Sequence, residues 1–235
     1  TVYWMGNGDF YVYSGQTQKM PCSVRSYIFN NMNISQMNLV TCSLNSSFSE
    51  VWWFYPSTNS SENDSYVIYN YLENNWVIGS LARTAWQDRG LLRNPLGASP
   101  DGYLYFHEDG INDGSTNPPS PITSYIESSQ LSIGEGNNFV FLSRLIPDLT
   151  FDNSVSGAPV VNFTLQTRNF PGGNYLQSNQ SAVTQSATTP VEQFTDQAFV
   201  RLRGRSFAVK VESDTTDVQW KLGTPRVDAR ADGRR

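Results

Sequence analysis

Cysteine, histidine and charge are all scarce in this chain of 235 residues, and each scarcity closes off a class of chemistry. Two cysteines, Cys22 and Cys42, are too few for a disulfide framework. Neither has a C-x-x-C partner or a neighbouring His with which to hold zinc. Both are expected to be buried thiols rather than a disulfide. The single histidine, His107, lies in Phe106-His-Glu-Asp-Gly110, outside any HExxH motif, and a Ser-His-Asp arrangement would have only this residue to use. At a hairpin end it reads as a surface group rather than a base. No glycine-rich phosphate loop is present, because Gly6-Asn-Gly8 is followed by a strand and not by a helix.

Long apolar runs are missing too. Nothing approaches the roughly 20 residues that span a bilayer, and the first residues lack a basic start followed by an apolar segment. No membrane anchor is expected. The chain opens at Thr1, without Met, in what already reads as a strand, so it is expected to be a piece of a longer polypeptide. The net charge of −5 is unevenly spread. Residues 1–194 carry 7 basic and 15 acidic side chains, and residues 195–235 carry 9 and 6. A mainly acidic body is a poor nucleic-acid clamp, since neutralising phosphates takes a dense basic surface.

What the chain has in abundance is aromatic side chains, 13% of the total, set among Gly, Pro, Asn and Ser. That mixture fills short strands and their turns, and the fold class is read as all-β. Aromatic runs recur at Tyr3-Trp4, at Glu50-Val-Trp-Trp-Phe-Tyr-Pro56 and at Tyr103-Leu-Tyr105, at intervals of about 50 residues that suit a kelch-like blade. Asn7-Gly8, Asp101-Gly102 and Asp109-Gly110 border them and tolerate the positive φ of tight hairpins. An ordinary aromatic-rich meander fits the same spacing. In Tyr66-Val-Ile-Tyr-Asn-Tyr71, alternation puts Val67, Tyr69 and Tyr71 on one face and Tyr66, Ile68 and Asn70 on the other, so a sheet covered on both sides is expected. One short helix is predicted after Asn33, with Ile34, Met37 and Val40 at helical spacing and Asn33 as its cap.

Residues 112–121, rich in Asn, Asp, Gly, Ser and Pro, are the clearest break. Residues 1–115 are therefore read as a partial β-propeller-like meander, and residues 121–235 as a β-sandwich-like domain. In the second part Val161, Phe163 and Leu165 share one face, and Asn162, Thr164 and Gln166 the other. Phe207, Val209 and Val211 repeat the pattern, as do Val218, Trp220 and Leu222; Pro171-Gly-Gly173 and Asp214–Asp217 separate the strands. Alternation turns Arg201, Arg203 and Arg205 outward against Val200 and Leu202. This arginine stripe is the interface candidate, able to meet acidic groups on a partner subunit; an ordinary solvent-facing strand is the other reading.

Catalytic candidates are thinner. Glycoside hydrolysis needs only two carboxylates, for which Glu50, Asp64 or Glu108 could serve, but the sequence cannot pair them. Trp52, Trp53, Trp76 and Trp86 could form a sugar platform, although alternating strands must turn at least half of them into a core. Asp101, Glu108, Asp109 and Asp113 lack EF-hand spacing; a loose calcium site and a solvated turn both remain open. Six glycosylation sequons, at Asn33, Asn45, Asn59, Asn63, Asn162 and Asn179, are hardly more than the roughly four that chance gives at this composition. No catalytic residue, cofactor or metal is assigned.

Taken together, Val2-Tyr-Trp-Met-Gly6, Phe10-Tyr-Val-Tyr-Ser-Gly15, Glu50–Pro56, Tyr66–Tyr71, Arg83-Thr-Ala-Trp86, Asp101-Gly-Tyr-Leu-Tyr-Phe-His-Glu-Asp-Gly110, Tyr125-Ile-Glu-Ser-Ser129, Phe170-Pro-Gly-Gly173 and Asp232-Gly-Arg-Arg235 carry a resemblance over nearly the whole chain. They resemble the C-terminal part of the tail hub, nozzle or packaged-DNA stabilisation proteins of short-tailed bacteriophages. The resemblance implies a non-enzymatic virion component, propeller-based, assembling with copies of itself as a ring, a hexamer, below the portal and its adaptor. Genomic DNA would pass through it without sequence-specific binding, and the acidic excess would suit a wall that lets DNA slide. Only two or three blades are visible, so a closed propeller would need sequence upstream of Thr1 or pairing between chains. The alternative is a carbohydrate-binding or glycan-depolymerising phage receptor-binding β protein; a secreted adhesion module is a third reading.

Overall fold

A computed structural model describes residues 1–170 and 185–234. The turn Pro171–Gly173, the sequon at Asn179 and the terminal Arg235 lie outside the described residues. The chain is all-β, with every sheet antiparallel, and divides into two compact units, Thr1–Gly110 and Ile111–Arg235. Residues 112–121 open the second unit as a small hairpin, Asn112–Asp113 against Ser120–Pro121.

The first unit contains three successive meanders. β1 (Val2–Met5), β2 (Phe10–Tyr13) and β3 (Thr17–Met20) pair in chain order. So do β4 (Thr41–Asn45), β5 (Glu50–Tyr55), β6 (Ser65–Asn70) and β7 (Asn75–Ser80), and then β8 (Ala85–Gln87), β9 (Leu96–Ala98) and β10 (Leu104–Phe106). Sheets that run up and down in chain order have the connectivity of propeller blades. The aromatic runs fall on different members of their sheets: first strand, second strand, then third with the residue before it. Their common spacing therefore marks one strand per sheet rather than one structurally equivalent position. Gly8 and Gly102, at φ 87° and 89°, occupy the turns that the Asn-Gly and Asp-Gly pairs signalled.

The four-stranded sheet is covered on both faces, as the 66–71 alternation predicts. Val51, Trp53, Tyr55 and Val67 pack with Phe10, Met20, Ile28 and Met32 on one side. Trp52, Phe54 and Ile68 pack with Tyr66, Leu81 and Trp86 on the other. A short helical segment does follow Asn33, but as a 3₁₀ turn, and the α-helix lies elsewhere. The α-helix, α1, is Arg25–Asn30, which drives the fully buried Ile28 into the core, whereas Ile34–Leu39 is a 3₁₀ segment that buries nothing. Asn33 does not cap it; its Nδ2 donates to the Ser60 carbonyl at 2.8 Å. The cysteine expectation is also corrected: both thiols are free, but Cys22 is only half-buried and Cys42 is exposed.

The second unit is a two-sheet sandwich. After the hairpin β11 (Asn112–Asp113) and β12 (Ser120–Pro121) come β13 (Ser124–Glu127), β14 (Val140–Ile146), β15 (Leu149–Thr150), β16 (Val160–Arg168), β17 (Gln185–Glu192), β18 (Ala198–Gly204), β19 (Ser206–Ser213), β20 (Lys221–Leu222) and β21 (Arg226–Ala231). One sheet has the order β13-β19-β16-β17 and the other β18-β14-β21. Val161, Phe163, Leu165, Phe207 and Val211 from the first meet Val140, Leu142, Leu145, Val200 and Leu202 from the second in one apolar core. Val209, Val218, Trp220 and Leu222 pack at its margin. The chain changes sheets between β18 and β19 across Arg205 alone. Glycine is required at the end of β18, because a Cβ on Gly204 would stand 2.7 Å from Thr167 Cβ. On the opposite face of β16, Thr164 and Gln166 are buried too.

Candidate functional site

Two places gather the sequence-predicted residues, one in each unit. In the first unit, the hairpin β4–β5 sets Asn45 directly across from Glu50. Asn45 is fully buried, and its Nδ2 donates to Glu108 Oε1 at 3.1 Å. Glu50 in turn accepts from Trp52 Nε1 at 2.8 Å. Burial raises the Glu50 carboxyl above its ordinary range, the Trp52 hydrogen bond opposes that rise, and the Glu108 charge adds to it. The fold therefore brings Glu50 and Glu108 into electrostatic contact, a pairing the sequence could not make. Asp64 belongs elsewhere: its carboxylate accepts from Ser57 N at 2.7 Å and Ser57 Oγ at 2.6 Å, fastening the 57–64 loop.

His107 is not the surface residue its hairpin position suggested. Its ring lies 4.5 Å from that of Trp86, and its Nε2 accepts from Arg83 Nε at 2.9 Å. A lone pair engaged by a guanidinium is not free to take a substrate proton. Arg83 is itself buried, spread over the Tyr105 ring at 4.7 Å and donating to the Ala82 carbonyl. Gly97 makes room for this pair, for a Cβ there would sit 2.8 Å from Arg83 Cδ and 2.9 Å from His107 Nε2.

The tryptophans do not share a platform. Trp53 and Trp76 belong to the cluster on one face of the four-stranded sheet and Trp52 and Trp86 to that on the other, each pair stacked within its own cluster. The acidic residues of the loose calcium site do not form a ligand set, and no group of three or more His, Cys, Asp or Glu able to hold a metal ion occurs among the described residues. Asp101 instead secures its hairpin, accepting from Tyr103 N at 3.0 Å and Tyr105 Oη at 2.8 Å. Two sequon residues, Asn45 and Asn63, are buried in the fold and closed to a glycan. No helix is long and apolar enough to cross a membrane among the described residues, which leaves β-barrels unaddressed.

In the second unit, β18 turns Ala198, Val200 and Leu202 into the core and Phe199 and Arg201 outward. The three interface arginines have different surroundings. Arg205 donates to the carbonyls of Asn137 and Arg234. Arg203 pairs with Asp232 at 2.6 Å and covers the Phe139 ring at 4.2 Å. Arg201 is exposed and borders an open hollow with Phe141, Ser143, Phe199 and Arg230. Arg230 lies over Phe141 at 4.9 Å. Arg144, on the same face, pairs with Asp228 at 2.7 Å and donates to Gln197.

Sequence reasoning missed Phe141, Phe199 and Arg230. Alternation in 140–146 and in Arg226–Ala231 carried the signal, but a register shift between Leu142 and Arg144 breaks the period in the first. With this geometry in hand, comparison with known proteins adds no relative: no family model matches the chain, and a search of the curated proteins finds no match.

Proposed function

We propose that the chain is a structural component of a short-tailed phage tail, a hub or nozzle protein working below the portal and adaptor. It acts by fitting against copies of itself in a ring, expected to be a hexamer, and helps retain packaged DNA and then channel it outward. No chemical turnover is part of this role.

The observation that carries the reading is the outward face of β18-β14-β21, where aromatic rings and guanidinium groups stand exposed over a closely packed core. Arginine and aromatic residues with this exposure are the composition of protein interfaces, in which the ring supplies area and the guanidinium directed pairing. The sequence resemblance supplies the assembly, and the blade-like sheets of the first unit agree with it. The first unit, with 9 acidic and 5 basic side chains over residues 1–110, suits a surface past which DNA slides without being held. Electron microscopy of the purified chain tests the reading. Rings with one rotational symmetry are the expected particles.

The paired Glu50 and Glu108 favour one second reading, a glycan-cleaving protein with Glu50 as the acid. Against it stand the neighbours of that pair: Trp52 lies in a core, and the His107 Nε2 is occupied. Loss of oligosaccharide cleavage in both Glu50→Gln and Glu108→Gln, from a chain that cleaves, would establish it over the ring.

A further inference from the structure

Among the described residues, each unit has a sheet face that carries exposed large apolar side chains, with acids beside the one and arginines on the other. In the first unit, register puts Trp86, Gly97 and Tyr105 on one side of the β8-β9-β10 sheet. That side carries the Trp52 stack and the Arg83–His107 pair. The other side presents Ala85, Ala98 and Leu104 in one row and Gln87, Leu96 and Phe106 in the next. Leu104 is 66% exposed and Phe106 62%. β10 is also an edge strand, with one side of its backbone unpaired within the sheet. Exposed acids border this sheet: Asp101, Glu108 and Asp109 flank β10, with Asp101 also accepting from Tyr105 Oη and Glu108 from Asn45 Nδ2. With Asp88 they outnumber the exposed Arg89 and Arg93 of the β8–β9 loop.

In the second unit the outward face of β18-β14-β21 is the counterpart. Phe199 is 76% exposed there. Asp228 and Asp232 are taken up by Arg144 and Arg203, which leaves Arg201 and Arg230 without a carboxylate in ion-pair range among the described residues. Face against like face would set these arginines against their own copies. Apolar residues with an acidic border meet that need instead: guanidinium groups resting on phenyl rings keep their edges free to bind carboxylates.

We infer that the β8-β9-β10 face of one copy docks onto the Arg201–Arg230 face of the next, a head-to-tail contact. Two different patches form a heterologous interface, which closes into a ring when its rotation closes. Charge complementarity then fixes the order of the units around it and discourages pairing of like faces. The inference rests on the ring reading above and specifies its contact surfaces.

Charge reversal tests it on the whole chain. Arg201→Glu with Arg230→Glu makes the second-unit face acidic. Phe106→Arg with Asp109→Arg makes the first-unit face basic without touching the Asn45–Glu108 bond. All four positions are exposed, and circular dichroism identifies any variant that fails to fold; Arg201→Ala with Arg230→Ala then stands in for the first pair, with an expected loss of about tenfold in association. In sedimentation velocity at several concentrations, each reversed chain alone is expected to lose assembly, and an equimolar mixture to regain it, since reversed face then meets reversed face. Assembly that survives both reversals, or a folded mixture that fails to recover, overturns the inference while leaving the ring intact. A wild-type chain that stays monomeric removes the ring reading and the inference together.

Discussion

Trp52 and Trp86 stack across two sheets of the first unit, with ring centroids 5.2 Å apart and planes 16° from parallel. Trp86 Nε1 also donates to the Leu44 carbonyl at 3.1 Å, so this one side chain holds the β8 strand to the β4–β5 hairpin. Trp86→Ala removes a large ring, its stacking and a hydrogen bond together. The expected cost is about 3 kcal/mol in the first unit. Five of the six tryptophans lie in that unit, so the fluorescence transition in denaturant reads it directly, and its midpoint should fall. An unchanged midpoint would mean that the stack adds nothing.

Gly204 makes a second prediction, in the other unit. Valine there would meet Thr167 Cβ and the Arg168 backbone, whose nitrogen and oxygen both lie 3.1 Å from the added Cβ. Backbone cannot swing aside as a side-chain tip can, and overpacking of this kind costs about 1–3 kcal/mol. Faster amide exchange in β16 and β18 of Gly204→Val, with the first unit unaffected, is the expected result.

Stability should also respond to pH through Glu50. Burial and the neighbouring Glu108 charge raise its folded-state pKa above the ordinary 4.5. Well below that value the carboxyl is protonated in both folded and unfolded chains and contributes no pH dependence. As pH climbs through 4.5 and past the raised folded value, the unfolded chain gives up the proton first, and the folded state loses relative stability. Glu50→Gln abolishes this term while its amide oxygen can still accept from Trp52. The difference in urea midpoint should move in favour of the variant between acid and neutral pH. A difference independent of pH would contradict the assignment.

These features were unequally legible in the sequence. Strand alternation gave both faces of the four-stranded sheet and the inward residues of β16, β18 and β19, because period-two burial is a local property of the chain. The turns at Gly8 and Gly102 were equally plain. The α-helix at Arg25–Asn30 was not, since it is six residues long, has no side-chain cap and is held by one buried residue, Ile28. The functional features lay furthest from reach. Glu50 and Glu108 meet only through tertiary packing between sheets, and Arg83 and His107 only once β8 and β10 are set on either side of β9. Phe141 was concealed by the shift in β14. The arginine stripe was visible, but not that Arg203 and Arg205 are engaged within their own chain while Arg201 faces outward.

Native mass spectrometry of the unmodified chain over a range of concentrations addresses the central claim most directly, because the proposed role requires copies to join. The account predicts a single closed oligomer, with six copies the expected number, that gains population with concentration without a ladder of larger species. A monomer at every concentration that binds or cleaves oligosaccharides would contradict it.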